Sequence, residues 1–227
     1  MNLCVIPARG GSKRIPRKNI RTFAGKPMIA YAIEVAQKSG LFSRIVVSTD
    51  DEEVAKISLK IGAEVPFRRP TELSDDHTPT VPVIAHAIRA IEPNGSNLGY
   101  VCCIYPCVPF MEETDLKKAL SLLESGNAEY SFPVAEYPSP VQRALKLGSE
   151  NQVSPFYPEF ELFRTQDLER TYYDAGQFYW GRKKAWLDNR QIHSSAVGLE
   201  IPRFRAVDID TQGDWQKAET LIGISNS

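Results

Sequence analysis

The chain opens with Leu3-Cys4-Val5-Ile6, continues as Pro7-Ala8-Arg9-Gly10-Gly11-Ser12, and runs on through Lys13-Arg14-Ile15-Pro16-Arg17-Lys18-Asn19. A short apolar run closed by proline and glycine reads as a strand, and the basic stretch after it reads as a loop. From here strand-like runs alternate with amphipathic helices through the first 135 residues, the pattern of an α/β fold with a mostly parallel sheet. In open sheets of this kind ligands sit at the carboxyl ends of the strands. The loop from Pro7 to Asn19 leaves the first strand at that end, so one stretch marks both the fold and a candidate site.

Working outward, a helix follows with Pro27 in its first turn and Ile29, Ala32, Ile33 and Ala36 at helical spacing, ending near Gly40. Ile45 to Ser48 reads as the second strand. Asp51-Glu52-Glu53 supplies the acidic first turn of a helix with Val54, Ile57 and Ile61 on its apolar face and Gly62 at its end. Further elements are a helix from Val81 to Ile91, a strand from Tyr100 to Tyr105, a helix from Glu113 to Leu123 and a strand from Glu129 to Val134. From Tyr137 prolines multiply, and 11 of the 22 aromatic residues fall between Tyr137 and Trp186. A subdomain, lid or subunit interface explains that density better than a surface loop does. Ala206-Val207-Asp208-Ile209-Asp210 then reads as a return to the main pattern in an extended strand, followed by a helix near Asp214 to Ile222.

A chain of 227 residues buries a proper core, and 42% hydrophobic with 24% charged residues is an ordinary globular balance. No apolar run approaches the roughly 18 residues of a membrane span, and the start lacks the apolar segment and cleavage site of a secretory leader. Cys4, Cys102, Cys103 and Cys107, with His77, His86 and His193, show no zinc spacing, so the cysteines are expected as structural thiols in a reducing cytoplasm. With 27 Lys and Arg against 28 Asp and Glu, the seven cations between Arg9 and Lys26 are a local feature.

In that loop Gly10 and Gly11 let a backbone approach a ligand, Ser12 adds a hydroxyl, and Arg9, Lys13 and Lys18 add charge. Such a set can hold a triphosphate. A solvated basic loop or a nucleic-acid patch is the alternative, the latter disfavoured because no aromatics are interleaved and the chain has no net positive charge. Neither a Walker A loop nor a dinucleotide fingerprint is present. Asp208 and Asp210 lie on one side of an extended segment and suit Mg2+, although a turn or helix cap is an equally ordinary use of Asp-x-Asp. Arg68-Arg69-Pro70 and Asp75-Asp76 fit a nucleotide contact or an exposed ionic loop. Asp174-Ala175-Gly176-Gln177-Phe178-Tyr179-Trp180-Gly181 fits a polar ligand lining or a tight turn into a core strand.

Ile6 to Lys13 with Lys18-Asn19, then Gly25-Lys26-Pro27-Met28-Ile29, Ser48-Thr49-Asp50, Arg69-Pro70 with Glu72-Leu73, the Asp174 to Tyr179 run and Asp208-Ile209-Asp210 resemble, in order, the motifs of the CMP-sugar synthetases, the cytidylyltransferases that activate sialic acid-like and Kdo-like acids. The resemblance covers essentially the whole chain. Ser12 to Asn19, Glu64-Val65-Pro66-Phe67 and Leu73 to Asp76 look like the branch acting on pseudaminic acid. Sialic acid enzymes carry Gln-Pro-Thr-Ser-Pro where this chain has Tyr105-Pro106-Cys107-Val108-Pro109, which argues for a different sugar.

The resemblance implies a Rossmann-like nucleotide-diphospho-sugar transferase fold in a single domain over 1–227. Residues 137–205 are implied as a dimerisation and sugar-binding subdomain inserted before the C-terminal strand and helix. It implies CMP transfer from CTP to the anomeric hydroxyl of a nine-carbon keto-acid sugar, pseudaminic acid or another nonulosonic acid, with Mg2+ as cofactor. Lys13, Lys18, Asp208 and Asp210 are implied as catalytic, with the two aspartates on the metal. Ala8, Arg9, Gly11, Ser12, Asn19 and Arg69 are implied at the nucleotide, and Tyr105, Gln177, Phe178 and Tyr179 at the sugar, with Arg143 or Arg164 facing its carboxylate. A homodimer is expected, with no nucleic-acid or membrane partner.

Overall fold

A computed structural model describes residues 1–92 and 97–225. Strand β1 (Asn2–Pro7) lies inside the sheet, parallel to β4 (Arg44–Ser48) on one side and to β5 (Tyr100–Ile104) on the other. The alternation of side chains along these strands divides the core into two layers. Cys4, Ile6, Cys102 and Ile104 face helices α1 (Met28–Ser39) and α4 (Glu113–Ser125). Leu3, Val5, Val101 and Cys103 face α3 (Thr80–Ile91) and α5 (Lys183–Leu187). Covered on both faces, the strands read as unbroken apolar runs. Helix α2 (Glu52–Ile61) follows β4, and a small hairpin of β2 (Thr22–Phe23) and β3 (Lys26–Pro27) precedes α1.

Beyond β5 the sheet continues through β10 (Phe178–Arg182), β6 (Tyr130–Glu136) and β11 (Ala196–Glu200), while β9 (Tyr172–Asp174) pairs with β6. Strand β10 runs antiparallel to both of its neighbours, so the sheet is mostly parallel with a reversed strand next to β5. Its Phe178 pairs with Ile104, and the Tyr105 amide donates to the Gln177 carbonyl at 2.9 Å. The reversed strand therefore begins at the edge where β1, β4 and β5 end, and four strands meet at one rim.

Two expectations need correction. Residues 206–210 form no strand. A 3-10 turn at Arg203–Arg205 diverts the chain after β11, and the Ile209 carbonyl is taken by Lys18 Nζ at 2.7 Å. The stretch 137–205 is not set wholly apart either, because β9, β10 and β11 belong to the main sheet. What stands out is an arm containing the hairpin β7 (Leu145–Leu147) and β8 (Val153–Pro155). The aromatic excess divides accordingly: Phe178, Tyr179, Trp180 and Trp186 are buried, whereas Phe156, Tyr157 and Phe163 are exposed. Helix α6 (Gln212–Ser225) closes a third apolar cluster, described with the site.

Gly181 sits where β10 meets α5, and a Cβ there would strike the Trp186 indole and come within 2.8 Å of the Tyr130 ring. Gly181→Ala is expected to cost about 1–3 kcal/mol by overpacking. Urea unfolding followed by tryptophan fluorescence measures the loss.

Candidate active site

The basic loop is held by bonds along its length. Ala8 is buried, and its N–H continues the β1–β4 ladder to the Ser48 carbonyl at 2.9 Å. Gly10 N–H donates to Asp50 Oδ1 at 3.1 Å, and a Cβ on Gly10 would come within 2.5 Å of Asp51 Oδ2. Only glycine allows this close approach to the turn before α2. Asn19 Nδ2 donates to the Arg9 carbonyl at 2.8 Å, and the Asn19 carbonyl accepts from Ile29 N–H at 2.8 Å. At mid-loop Ile15 is buried with Phe23, Met28, Ile209 and Trp215. That small core fixes the loop against the segment carrying the two aspartates.

Asp51 joins the loop to α2. Its Oδ1 accepts from the amides of Glu53 and Val54 at 2.9 Å each, an N-cap, and its Oδ2 accepts from Arg17 at 2.6 Å. Arg17 holds a left-handed backbone with φ 57° and also meets Glu53 at 2.5 Å. The Arg17 hydrogen bond, with the two amide bonds, holds the Asp51 carboxyl down at about 2.

Above the strand rim opens a cleft of about 660 Å³. Of the predicted residues, Arg9, Ser12, Lys13, Lys18, Asn19, Arg69, Tyr105 and Asp210 line it. Arg14, Asp76, Thr78 and Thr80 line it as well. Thr80, the first residue of α3, had no distinguishing signal in the sequence, and Asp76 was visible only as half of an ambiguous acidic pair. Gly11 is exposed beside the cleft without lining it.

The cations of the lining already face acids. Arg9 meets Asp76 at 2.5 Å, Lys13 pairs with the same carboxylate, and Arg14 and Lys18 reach Asp210 at 2.7 and 3.3 Å. Arg21 and Lys26 lie elsewhere, over the rings of Trp215 and Tyr31. Arg69 differs. It is 5% exposed, its nearest acid is Asp50 at 3.7 Å, and its Nε and Nη2 donate to nothing. Burial lowers its pKa from the usual arginine value, against the pull of Asp50.

At the far end the Tyr105 hydroxyl lies 2.8 Å from Thr80 Oγ1, and Tyr179 donates to Asp174 Oδ2 at 3.0 Å. Burial pushes the Tyr105 hydroxyl up to about 12. Gln177 is buried and donates to the Arg205 carbonyl at 2.6 Å, while its Oε1 has no partner. Neither Gln177 nor Tyr179 lines the cleft, and the other sugar-side expectations lie elsewhere. Phe178 is fully buried in the core. Arg143 is on the arm, donating to the carbonyls of Phe160, Glu161 and Phe163, and Arg164 is paired there with Asp167. Arm residues precede the turn back into the sheet, which the motif spacing alone did not reveal.

Asp208 and Asp210 flank the buried Ile209. Asp208 does not line the cleft itself and is exposed by surface, yet neighbouring atoms desolvate its carboxyl and, with the charge of Asp210, raise its pKa. Among the described residues no group of three or more His, Cys, Asp or Glu side chains is placed to hold a metal. Two carboxylates are nonetheless the donor set Mg2+ accepts when phosphate and water oxygens complete its shell. The repulsion from Asp210, which adds to the desolvation that chiefly raises Asp208, is what a bound cation relieves, so the residues fit the ion. The cysteines take no part: Cys4, Cys102 and Cys103 are buried free thiols, and half-buried Cys107 donates to Asn19 Oδ1 at 3.4 Å.

An open α/β sheet whose first strand empties into a cationic glycine loop lining a cleft, with a carboxylate pair beside that loop, has the layout of a nucleotidyltransferase. The chain belongs to the cytidylyltransferase family, whose profile matches residues 3–221. It is 43% identical to the pseudaminic acid cytidylyltransferase of Campylobacter jejuni subsp. jejuni serotype O:23/36 (strain 81-176), over 99% of this chain and 97% of that protein. It is 31% identical to the CMP-N,N'-diacetyllegionaminic acid synthase of Legionella pneumophila, over 98% of this chain and 97% of that protein. A solved CMP:2-keto-3-deoxy-manno-octonic acid synthetase complexed with CTP shares the fold with TM-score 0.72 at 17% identity, covering 99% of each chain.

Because the Asp51 carboxyl is depressed in the folded state, the stability it adds is complete above the ordinary aspartate range near pH 4 and fades as pH falls toward 2. Asp51→Ala is expected to lose roughly 1–2 kcal/mol at pH 7 through its cap and Arg17, and the gap from the unsubstituted protein should narrow as pH approaches 2. Denaturation series at several pH values measure both.

Proposed function

We propose that the protein transfers CMP from CTP to the anomeric hydroxyl of pseudaminic acid, releasing pyrophosphate. Arg69 carries the reading from the geometry. A nearly buried guanidinium on the cleft wall, with no acid closer than Asp50 at 3.7 Å, leaves positive charge for a nucleotide in the cleft to complement. The cationic loop on the same cleft then takes the triphosphate. The 43% identity to a pseudaminic acid enzyme, and Tyr105 at the far end, support the sugar.

In this reading Arg9, Ser12, Lys13 and Lys18 grip the phosphates and damp charge on the pyrophosphate as the sugar oxygen attacks the α-phosphorus. Asp208 and Asp210 hold Mg2+, which supplies charge neutralisation at the phosphates. Lys18 stays attached to the Ile209 carbonyl and so keeps its ammonium at the reacting end. Tyr105, Gln177 and Tyr179 shape the sugar end. A second copy of this chain covers the arm, where Leu145, Leu147, Val153 and Leu162 are more than half exposed. The site of action is the cytoplasm, in keeping with free buried thiols; among the described residues no helix is long and apolar enough to cross a membrane.

Pyrophosphate release from CTP and Mg2+ should be supported best by pseudaminic acid in a panel with legionaminic and N-acetylneuraminic acids. Release with none of them would remove the central claim. Asp210→Asn should lower turnover about a hundredfold or more while leaving the circular dichroism spectrum intact. In sedimentation velocity the protein should run as a dimer, and Leu147→Asp combined with Leu162→Asp should shift it to monomer.

A further inference from the structure

Asp208 and Asp210 ride on a stretch without regular structure, between the 3-10 turn at Arg203–Arg205 and the start of α6 at Gln212. Such a stretch has no ladder or helix bonds of its own, so its geometry comes from what grips it. Downstream, Asp214 Oδ2 accepts from the N–H of Asp210 at 3.4 Å and of Thr211 at 2.8 Å, which ties the stretch to the first turn of α6. In the middle, Lys18 Nζ holds the Ile209 carbonyl, but Lys18 also lines the cleft and lies 3.3 Å from Asp210, so an anionic ligand competes for it. Upstream, Gln177 Nε2 donates to the Arg205 carbonyl at 2.6 Å. Gln177 is neutral, 3% exposed and absent from the cleft lining, so neither water nor a cleft ligand competes for this bond. The Arg205 side chain is held as well: its guanidinium pairs with Asp115, itself 3% exposed in the first turn of α4, and meets Glu112 at 3.2 Å.

We infer that Gln177 and Arg205 are positioning residues for Asp208 and Asp210: they pin the upstream end of the carboxylate segment to the turn before β10 and to α4, and so set where the pair meets Mg2+. The inference rests on the proposed CMP transfer. Gln177 divides its work between main chain and side chain. Its carbonyl accepts from Tyr105 N–H at 2.9 Å and holds the sugar-end tyrosine, while its amide nitrogen holds the segment that carries the aspartates. Two carboxylates grip a cation only when their carrier is fixed at coordinating distance. A carrier free to drift loses that freedom at each binding, and the grip weakens accordingly.

Gln177→Leu removes the donor at nearly constant volume and leaves the main-chain bond to Tyr105 in place. With neither metal nor substrate present, amide hydrogen exchange in residues 206–210 should quicken about tenfold, the worth of one buried hydrogen bond, while exchange in β1 and β5 stays the same. The Mg2+ concentration that gives half-maximal turnover should rise by a similar factor, with KM for the sugar acid within twofold. Arg205→Leu should do the same, and Arg205→Lys, which keeps a cation beside Asp115 and Glu112, should recover most of the loss. If Arg205→Leu fails to fold, Gln177→Leu decides alone. Unchanged Mg2+ demand, with or without a raised KM for the sugar acid, overturns the inference, and so does unchanged exchange at 206–210. A general packing defect, seen as faster exchange throughout the sheet with Mg2+ demand and KM rising together, overturns it too. Lack of any turnover by the unsubstituted enzyme overturns the CMP-transfer reading and this inference with it.

Discussion

The site depends on a small apolar cluster that lies under the charged surface. Ile15 is the buried residue between the exposed Lys13-Arg14 pair and Arg17-Lys18, and Ile209 is the buried residue between two aspartates. Both insert beside Phe23, Met28 and Trp215, with the Phe23 and Trp215 rings edge to face at 5.1 Å. Charges of opposite sign on two flexible segments attract only weakly in water and bring no fixed geometry. The apolar contact supplies it. Once Ile15 and Ile209 are seated, Lys18 has a carbonyl to grip and Asp210 a fixed distance from the loop.

The sheet contributes a rim, and the rim explains which residues meet. Parallel strands β1, β4 and β5 deliver the loop, the Ser48-Thr49-Asp50 turn and Tyr105 to the same edge. The turn from β9 into β10 places Asp174 and Gln177 at this edge, and β10, entering in reverse, adds Tyr179. Residues as distant in sequence as Arg9, Arg69, Tyr105 and Asp210 thus line one cleft.

How much of this was legible follows from the kind of signal each part leaves. Apolar runs, Asp51 before an acidic turn, and Gly40 and Gly62 at helix ends are local features, and those elements lie where periodicity and caps put them. Residues 206–210 misled because Val207 and Ile209 alternate with acids as a strand would, whereas only Ile209 is deeply buried and a lysine occupies its backbone. The Asp174 to Gly181 run had two readings, turn into core strand or ligand lining; the chain does turn into a core strand, with Phe178 and Trp180 facing one layer and Tyr179 the other. Thr80 left no trace in the sequence, since its importance comes from the tyrosine opposite it. Arg143 and Arg164 were chosen for their chemistry, and chemistry does not tell whether a guanidinium is already engaged with neighbouring carbonyls or an aspartate.

The pairing of the cleft cations with Asp76 and Asp210 has a consequence for selectivity among anions. The loop carries its own resident competitors. A ligand gains only the difference between its grip and theirs, so a diffuse polyanion that offers one phosphate at a time exchanges like for like and gains little. Under the proposed reading, a compact triphosphate presents several charges within a few ångströms and competes with both carboxylates at once, and Asp210, so released, would be free to face a cation. Until such a ligand enters, Asp76 and Asp210 keep the cleft's cations neutralised.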